Sequence, residues 1–211
     1  MNEGNYDEAI ILFSELDDYP DSDVYIKNSK YLKAINLLDN KNYTQAYEIF
    51  SELNDYEDSE NYAIYIEATK AESSSFIDAY NKYISLPESF LDVNERLDFI
   101  KTYLVYAGQY KIPQFVNFYE QDSIINIFPR LHNIDFIIDA DNNIKVLLND
   151  YRYDLHESDN ADYDFMFFAG EYIRGYISKT ELFLDYIETD DDVIITSEFD
   201  IYYEKYISYN F

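Results

Sequence analysis

The chain contains no cysteine, which excludes disulfide bonds and thiolate chemistry. It also contains no run of 18 apolar residues, the minimum for a helix that crosses a bilayer. These two absences favour a soluble protein in a reducing compartment such as the cytoplasm. The alternative is the soluble part of a longer membrane-anchored or surface protein.

Glycine and proline are scarce, with four of each, and tryptophan is absent. Few glycines and prolines argue against long flexible linkers. Aromatic residues are nevertheless abundant at 19%, with 25 Tyr and 15 Phe, which supplies ample material for a packed core. A chain of 211 residues can form one domain or two small ones without staples.

Basic residues are few: 15 Lys and Arg face 43 Asp and Glu, for a formal net charge of −28. Contacts with phosphates need clustered Lys and Arg, whereas here the basic residues are scattered singly. We therefore expect no direct binding of nucleic acid. The acidic surplus favours solubility, and the alternative is an acidic face that captures a basic protein partner.

Recognisable catalytic sequences are missing. The chain has no Gly-rich phosphate loop, no His-Glu-x-x-His and no Gly-x-Ser-x-Gly. The two histidines, His132 and His156, lie 24 positions apart without ligand spacing, which predicts surface placement. We therefore predict no catalytic residue and no cofactor, and we expect a protein that is not an enzyme.

One segment resembles the start of a calcium loop, with oxygen-bearing side chains at Asp139, Asp141 and Asn143. A calcium loop also needs Gly at its sixth position and Glu at its twelfth, where this chain has Ile144 and Asp150. A β-turn explains the segment better, so we predict no metal site.

The chain repeats itself at an offset of 37 residues, where Gly4 to Asp23 matches Lys41 to Glu60 at eleven of twenty positions without a gap. A period between about 20 and 50 residues is typical of stacked-repeat architectures. The matching pairs are Asn5/Asn42, Tyr6/Tyr43, Ala9/Ala46, Phe13/Phe50, Ser14/Ser51, Glu15/Glu52, Leu16/Leu53, Asp18/Asp55, Tyr19/Tyr56, Asp21/Asp58 and Ser22/Ser59.

Each repeat unit reads as a helical hairpin. An apolar stripe with helical spacing predicts the first helix, and Pro20 ends it. Asp21 and Ser22 are natural N-caps for a second helix. Such a hairpin cannot bury its apolar stripe without a neighbour. The stripe of the first helix is Tyr6, Ala9, Ile10, Phe13 and Leu16, and that of the second is Tyr31, Ala34, Ile35 and Leu38.

A third, decayed unit follows. The segment from Phe76 to Leu86 overlays the second unit at an offset of 33, and Leu91 to Tyr106 reads as its second helix. Gly108-Gln109-Tyr110 repeats the opening of the first unit, and Pro113 to Gln121 reads as one more helix. The repeats are therefore expected to end near Arg130.

The repeat pattern resembles the tetratricopeptide-repeat superfamily, in a bacterial variety with an aromatic-x-Asp-Ser step between its helices. The period exceeds the usual 34 residues, and the Trp-x-x-Leu-Gly opening is absent. The resemblance implies a scaffold that holds partner peptides or proteins. The residues that carry it are Asn5-Tyr6, Ala9, Phe13, Leu16 and Tyr19-x-Asp21-Ser22, with their equivalents 37 positions on.

After Arg130 the pattern changes to short apolar runs separated by turn formers, which predicts β-hairpins. One hairpin is expected around Asp139 to Asn143 and another around Gly170. A further strand is expected at Val193 to Thr196, and Asp200 to Tyr209 fits a strand or a helix. A short segment resembles the last strands of bacterial Src-homology-3-type barrels, through Gly175, Tyr176, Ile177, Ser178 and Leu182.

The densest acidic stretch lies near the end of the chain, where no Lys or Arg occurs from Thr180 to Glu204. A solvated loop and strand edge is one interpretation, and a docking surface for a basic partner is the other. Tyr19 and Tyr56 are expected to pack between repeats. The candidate partner-binding residues are Glu188, Asp190, Asp191, Asp192, Glu198 and Asp200.

The sequence thus predicts an α+β protein, with tetratricopeptide-like repeats over residues 1–130 and a small β-rich domain over residues 131–211. The expected function is a non-enzymatic scaffold or adaptor for a protein partner. The alternative is an acidic inhibitor or immunity-type protein that blocks a basic nucleic-acid-binding or toxin surface. The oligomeric state stays open.

Overall fold

The computed structural model describes residues 5–16, 19–111, 131–149, 151–169, 173–179, 181–190, 193–196 and 201–208. The chain forms two compact units. The first contains Met1–Lys70 with Lys82–Val93, and the second contains Ala71–Asn81 with Asn94–Phe211. The helices are α1 (Tyr6–Ser14), α2 (Ser22–Asp39), α3 (Tyr43–Leu53), α4 (Ser59–Ala71), α5 (Phe76–Tyr83) and α6 (Val93–Leu104).

The 37-residue period corresponds to a repeated helical hairpin. In α1 and α2, Phe13 stacks on Tyr25 with ring centroids 4.9 Å apart. In α3 and α4, the equivalent Phe50 stacks on Tyr62 at 4.7 Å. The turns match as well: the Ser22 N–H donates to Tyr19 O at 3.1 Å, and the Ser59 N–H donates to Tyr56 O at 3.1 Å. The predicted hairpin repeat is therefore confirmed for the first two units.

The core of the first unit is centred on Ala34, Ala46, Phe50 and Ile66, all fully buried. Helix α2 packs against both α1 and α3. The two alanines lack bulk, so the helix backbones can approach closely and the Phe50 ring fills the remaining space. Other apolar side chains surround this centre, namely Tyr31, Ile35, Leu37, Leu38, Tyr43, Tyr47, Ile49, Tyr62 and Ala63.

Helix α2 begins where the sequence predicts, with Asp21 at the N-cap position, but the expected side-chain cap does not form. Asp21 has a φ of 77° and makes no side-chain capping hydrogen bond. Ser59 Oγ, at the start of α4, is buried without a hydrogen-bond partner among the described residues. Asn42 does cap: its side-chain oxygen accepts the Gln45 N–H at 3.5 Å, at the start of α3.

The β-region of the second unit is antiparallel throughout its described pairings, which confirms the predicted α+β class. The strand order is β4-β3-β2-β1-β10-β8-β7-β6-β5, and β9 pairs with β8. The strands are β1 (Gly108–Lys111), β2 (Leu131–Ile138), β3 (Ile144–Leu148), β4 (Tyr151–Asp154), β5 (His156–Glu157), β6 (Phe165–Phe168), β7 (Ile173–Ile177), β8 (Glu181–Asp190), β9 (Val193–Thr196) and β10 (Ile201–Ser208).

The predicted hairpins around Asp139 to Asn143 and around Gly170 are confirmed, because β2 pairs with β3 and β6 pairs with β7. The predicted strand at Val193–Thr196 is confirmed as β9. The ambiguous segment near the end of the chain is a strand, β10, which pairs with β8.

One repeat prediction is wrong. The Gly108-Gln109-Tyr110 segment, expected to open a further helical unit, is strand β1 and pairs with β2 and β10. The predicted helix at Pro113 to Gln121 lies outside the described residues. The expected domain boundary near Arg130 lies there too, so the division into residues 1–130 and 131–211 stays a prediction.

Aromatic rings dominate the core of the second unit. Phe136 of β2 and Phe167 of β6 are fully buried. Tyr103 of α6 contacts the rings of Phe136 at 5.6 Å and Phe165 at 6.1 Å, so α6 covers one face of the β-region. Within the described residues, no helix combines the length and the apolar character that a bilayer span requires.

Candidate interaction site

The turn between the two helices of each hairpin is an aromatic-x-Asp step, and in the second and third hairpins a tyrosine from the preceding hairpin contacts it. At the second step, Tyr31 of α2 contacts Tyr56 edge to face, with centroids 6.0 Å apart. At the third step, Tyr65 of α4 contacts Phe90 in the same way at 6.3 Å. The hydroxyl of Tyr65 also donates to Asp92 Oδ1 at 2.6 Å. A tyrosine suits this position because its ring packs while its hydroxyl finds a polar partner.

The hydroxyl of Tyr31 likewise lies at the aspartate of its step. Burial, together with the nearby Tyr62 and Asp58, raises the pKa of Tyr31 to about 12, and its hydroxyl also bonds the Asp58 backbone and Tyr62. The phenol therefore stays protonated across the physiological range, and it acts as a neutral hydrogen-bonding group. In both occupied steps a tyrosine on one hairpin meets the aspartate of the next, at the backbone of Asp58 and at the carboxylate of Asp92.

Sequence analysis missed the third step. Phe90 and Asp92 stand 34 residues after Tyr56 and Asp58, with Val93 in place of Ser59. The turn hydrogen bonds are the same, since the Val93 N–H donates to Phe90 O at 3.1 Å. An aromatic-x-Asp search without the serine would have found it.

The first step, Tyr19-x-Asp21, has no such covering tyrosine among the described residues. Tyr19 is 56% exposed, so the prediction that it packs between repeats is wrong, whereas Tyr56 does pack there. An open groove of about 440 Å³ lies at this step. Its lining consists of Phe13, Ser14, Tyr19, Pro20, Asp21, Ser22, Asp23 and Ile26.

Equivalent positions in the first and second hairpins differ in burial. Leu16 is 47% exposed, whereas Leu53, 37 residues on, is 6% exposed. Helix α2 packs on α3, but among the described residues no helix packs on the corresponding side of α1. The predicted stripe of α1 is therefore only partly buried. The large apolar side chains that the first hairpin exposes are Ile11, Leu12, Leu16, Tyr19, Val24 and Tyr25.

The backbone of the first step differs in one respect from the others. The middle residue is left-handed in the second and third steps, at Glu57 (φ 49°) and Leu91 (φ 46°). Pro20 holds the middle position in the first step, and its ring fixes φ near −65°. The left-handed residue is Asp21 instead, with φ 77°, so the step closes with the same hydrogen bond through a shifted geometry.

The predicted acidic site is mostly beyond the described residues. Glu188 and Asp190 lie on β8, where they pair with Ile195 and Val193 of β9. Asp191, Asp192, Glu198 and Asp200 lie outside the described residues. The acidic docking surface therefore stays a prediction.

The histidines and the Asp139 turn belong to the β-region of the second unit. His156 on β5 contacts the Phe168 ring edge to face at 5.9 Å, and His132 lies on β2. Asp139 Oδ1 accepts the N–H groups of Asp141 and Asn143 at 2.9 and 2.8 Å. These bonds hold the pKa of the Asp139 carboxyl below its usual value. Among the described residues, no cluster of His, Asp and Glu has the arrangement that would hold a metal ion.

Asp135 is a half-buried carboxyl group of the second unit. Asp135 of β2 accepts a hydrogen bond from Ser75 Oγ at 2.5 Å and one from its neighbour's N–H, that of Phe136, at 2.8 Å. Burial outweighs these bonds and raises the pKa of Asp135 to about 6. Ser75 Oγ also accepts the Asp78 N–H at 3.0 Å, at the start of α5. The group links β2 to the N-terminus of α5, which is a structural role.

A groove of about 490 Å³ lies elsewhere in the second unit, lined in part by Tyr103, Ile144, His156 and Phe165.

Comparison with known proteins gives no relative: no family model, no curated protein and no solved structure matches this chain.

Proposed function

We propose that the chain is a non-enzymatic protein-interaction scaffold of the tetratricopeptide-like kind, and that the first hairpin is its binding surface. One observation carries the proposal. The first hairpin exposes the same apolar face that its copy, the second hairpin, buries, as Leu16 and Leu53 show with 47% and 6% exposure. Clusters of exposed large apolar side chains mark interaction surfaces in folded proteins.

The repeat itself supports this function. A stacked hairpin presents a preformed, rigid surface, so a partner binds without an ordering cost on the scaffold's side. The surface mixes aliphatic and aromatic side chains, with the acidic Glu15 at its edge. Aromatic residues are favoured at binding hot spots because they supply large contact areas with few rotatable bonds.

Site-specific photo-crosslinking in the cells that make the protein tests the proposal. A benzoylphenylalanine at Leu16 should crosslink to one defined partner. The same group at Glu48, an exposed position of α3, serves as the matched control and should give none. Equal crosslinking at both positions, or none at either, would contradict a binding surface on the first hairpin.

The acidic inhibitor remains a second candidate because of the net charge of −28 and the absence of basic residues between Thr180 and Glu204. An acidic mimic of nucleic acid should lose most of its affinity between about 50 and 500 mM salt, whereas apolar docking should lose little. Changing Asp190, Asp191 and Asp192 to Asn together distinguishes the two. Unchanged binding of a basic partner by that variant would exclude the acidic surface.

A further inference from the structure

Among the described residues, three turns between paired helices have the aromatic-x-Asp sequence, and two of them contact a tyrosine from the preceding hairpin. Tyr31 occupies the Tyr56–Asp58 step, and Tyr65 occupies the Phe90–Asp92 step. Both tyrosines stand on the second helix of their hairpin, 34 residues apart. The step is thus a binding site for a helix-borne tyrosine, and the chain itself shows this contact twice.

The first step, Tyr19–Asp21, is open. Its aromatic ring is 56% exposed, and the groove beside it measures about 440 Å³. Tyr19 and Asp21 keep the 37-residue correspondence with Tyr56 and Asp58, and the closing hydrogen bond of the turn is retained. The two residues that receive a tyrosine elsewhere are therefore present and exposed here, although the left-handed residue is Asp21 rather than the middle one.

An ion pair at the second step indicates which residue should lie beside the tyrosine of the ligand. At the occupied second step, Lys30, which directly precedes Tyr31, forms an ion pair with Glu52 at 2.5 Å. Glu15 is the equivalent of Glu52 and is exposed. The third unit has Ser85 at this position, so its step cannot form the same ion pair. Of the other two steps, only the first has a carboxylate at the position of Glu52, namely Glu15. A basic residue next to a docked tyrosine could therefore form an ion pair with the carboxylate of Glu15.

From these observations we infer that the Tyr19–Asp21 step is a docking site for a helix of a partner protein that carries adjacent Lys and Tyr residues. The tyrosine ring packs on Tyr19, its hydroxyl meets Asp21, and the lysine pairs with Glu15. The inference rests on the proposed scaffold function and names the kind of partner. A second copy of this chain is a poor occupant, because two molecules of net charge −28 repel each other and because each copy's Tyr31 and Lys30 already contact its own Tyr56 and Glu52.

Helix α2 of this chain provides the probe, since it already occupies the equivalent step in its own molecule. A stapled peptide with the sequence of Ser22 to Asn40 should bind the full-length protein in trans, as measured by fluorescence anisotropy. Stapling compensates for the weak helicity of an isolated segment of this length. We expect the peptide change Tyr31→Phe to weaken binding about fivefold and Tyr31→Ala at least about tenfold.

Changes on the protein should mirror those on the peptide. Tyr19→Ala should weaken binding about tenfold and Glu15→Gln by a few fold, whereas Asp58→Asn, at the step already occupied, should leave binding unchanged. All three positions are exposed, so these variants should fold. Circular dichroism checks this directly.

Several outcomes would overturn the inference. These are no binding of the peptide, equal binding of the Tyr31→Ala peptide, or a loss with Asp58→Asn, which would mean invasion of the second step. Self-association of the protein that Tyr19→Ala abolishes would make a second copy the occupant instead. The crosslinking at Leu16 is independent of tyrosine chemistry. Crosslinks without peptide binding would therefore support the scaffold function and contradict a Lys-Tyr helix as its ligand.

Discussion

The Phe50 ring stacks on the Tyr62 ring with centroids 4.7 Å apart and planes within 7° of parallel. Thirty-seven residues earlier, Phe13 and Tyr25 form the same pair at 4.9 Å and 18°. Phe50 is fully buried, whereas Phe13 is half-buried. The two hairpins therefore share their internal packing and differ in what surrounds them.

This difference predicts unequal costs for the same substitution. Phe50→Ala should lower the free energy of unfolding by about 3–5 kcal/mol, because it removes a fully enclosed ring. Phe13→Ala should cost about half as much or less, since solvent already reaches its ring. Urea denaturation followed by circular dichroism measures both values. A cost below about 1 kcal/mol at Phe50 would mean that the stripe of α3 is not core.

The Tyr65 hydroxyl, which donates to Asp92 at 2.6 Å, supports a second prediction. A hydrogen bond to a charged group contributes about 1.5–3 kcal/mol, and partial solvent exposure of Asp92 places this one at the lower end or below. Tyr65→Phe should therefore destabilise the protein by about 1–2 kcal/mol. The control is Tyr19→Phe at the open step, which should change stability by less than about 0.5 kcal/mol. Equal effects at the two positions would contradict the distinction between occupied and open steps.

Gly175 in β7 faces Phe167 in β6 across the sheet. A Cβ atom at Gly175 would lie 2.2 Å from Phe167 Cζ, which is far inside van der Waals contact. Gly175→Ala should consequently cost about 1–3 kcal/mol through overpacking. Thermal unfolding of the single variants and of Gly175→Ala with Phe167→Leu forms a double-mutant cycle. The smaller Leu should relieve part of the clash, and strictly additive effects would argue against it.

Asp135 makes stability depend on pH in a direction opposite to that of most carboxylates. Its pKa is raised to about 6 in the folded protein, against about 3.9 for an unfolded chain. The folded state therefore holds the proton more tightly, and this group's contribution to stability falls as pH rises from about 4 to about 6. Asp135→Asn removes this titration. The free energy of unfolding of the variant minus that of wild type should therefore be about 1–3 kcal/mol higher at pH 7 than at pH 4.

Denaturation of both proteins at several pH values measures this difference. Glu181→Gln, a change at an exposed carboxylate of the same unit, is the control for the removal of one negative charge. A constant difference between Asp135→Asn and wild type from pH 4 to pH 7 would contradict the raised pKa.

Local patterns account for the parts of the fold that sequence predicts. The 37-residue period and the positions of Phe13 and Phe50 define the first two hairpins because helix periodicity and turn formers are properties of short segments. Strand β1 was predicted as a helical opening because Gly108-Gln109-Tyr110 resembles Gly4-Asn5-Tyr6. Its pairing with β10, nearly a hundred residues later in the chain, decides its conformation, and no local pattern reports it.

The candidate site was only partly predictable for a similar reason. Tyr19 and Tyr56 are the same residue in the same local sequence, yet the former is exposed and the latter contacts Tyr31. The difference is that Tyr56 has a preceding hairpin, whose Tyr31 contacts it, and this hairpin lies outside the sequence of the repeat itself. Pro20 was expected to end the first helix, but α1 already ends at Ser14. Pro20 instead holds the middle position of the turn, and Asp21 is the left-handed residue.

Thiol labelling tests the central claim most directly, because the chain has no cysteine of its own to interfere. Single cysteines at Leu16→Cys and Leu53→Cys probe equivalent positions of the two hairpins. The first should react with a maleimide nearly as fast as an unfolded peptide, and the second at least about a hundredfold more slowly, because local opening must precede reaction at a buried site. Similar rates at the two positions would show that the first hairpin does not present the face that the second one buries.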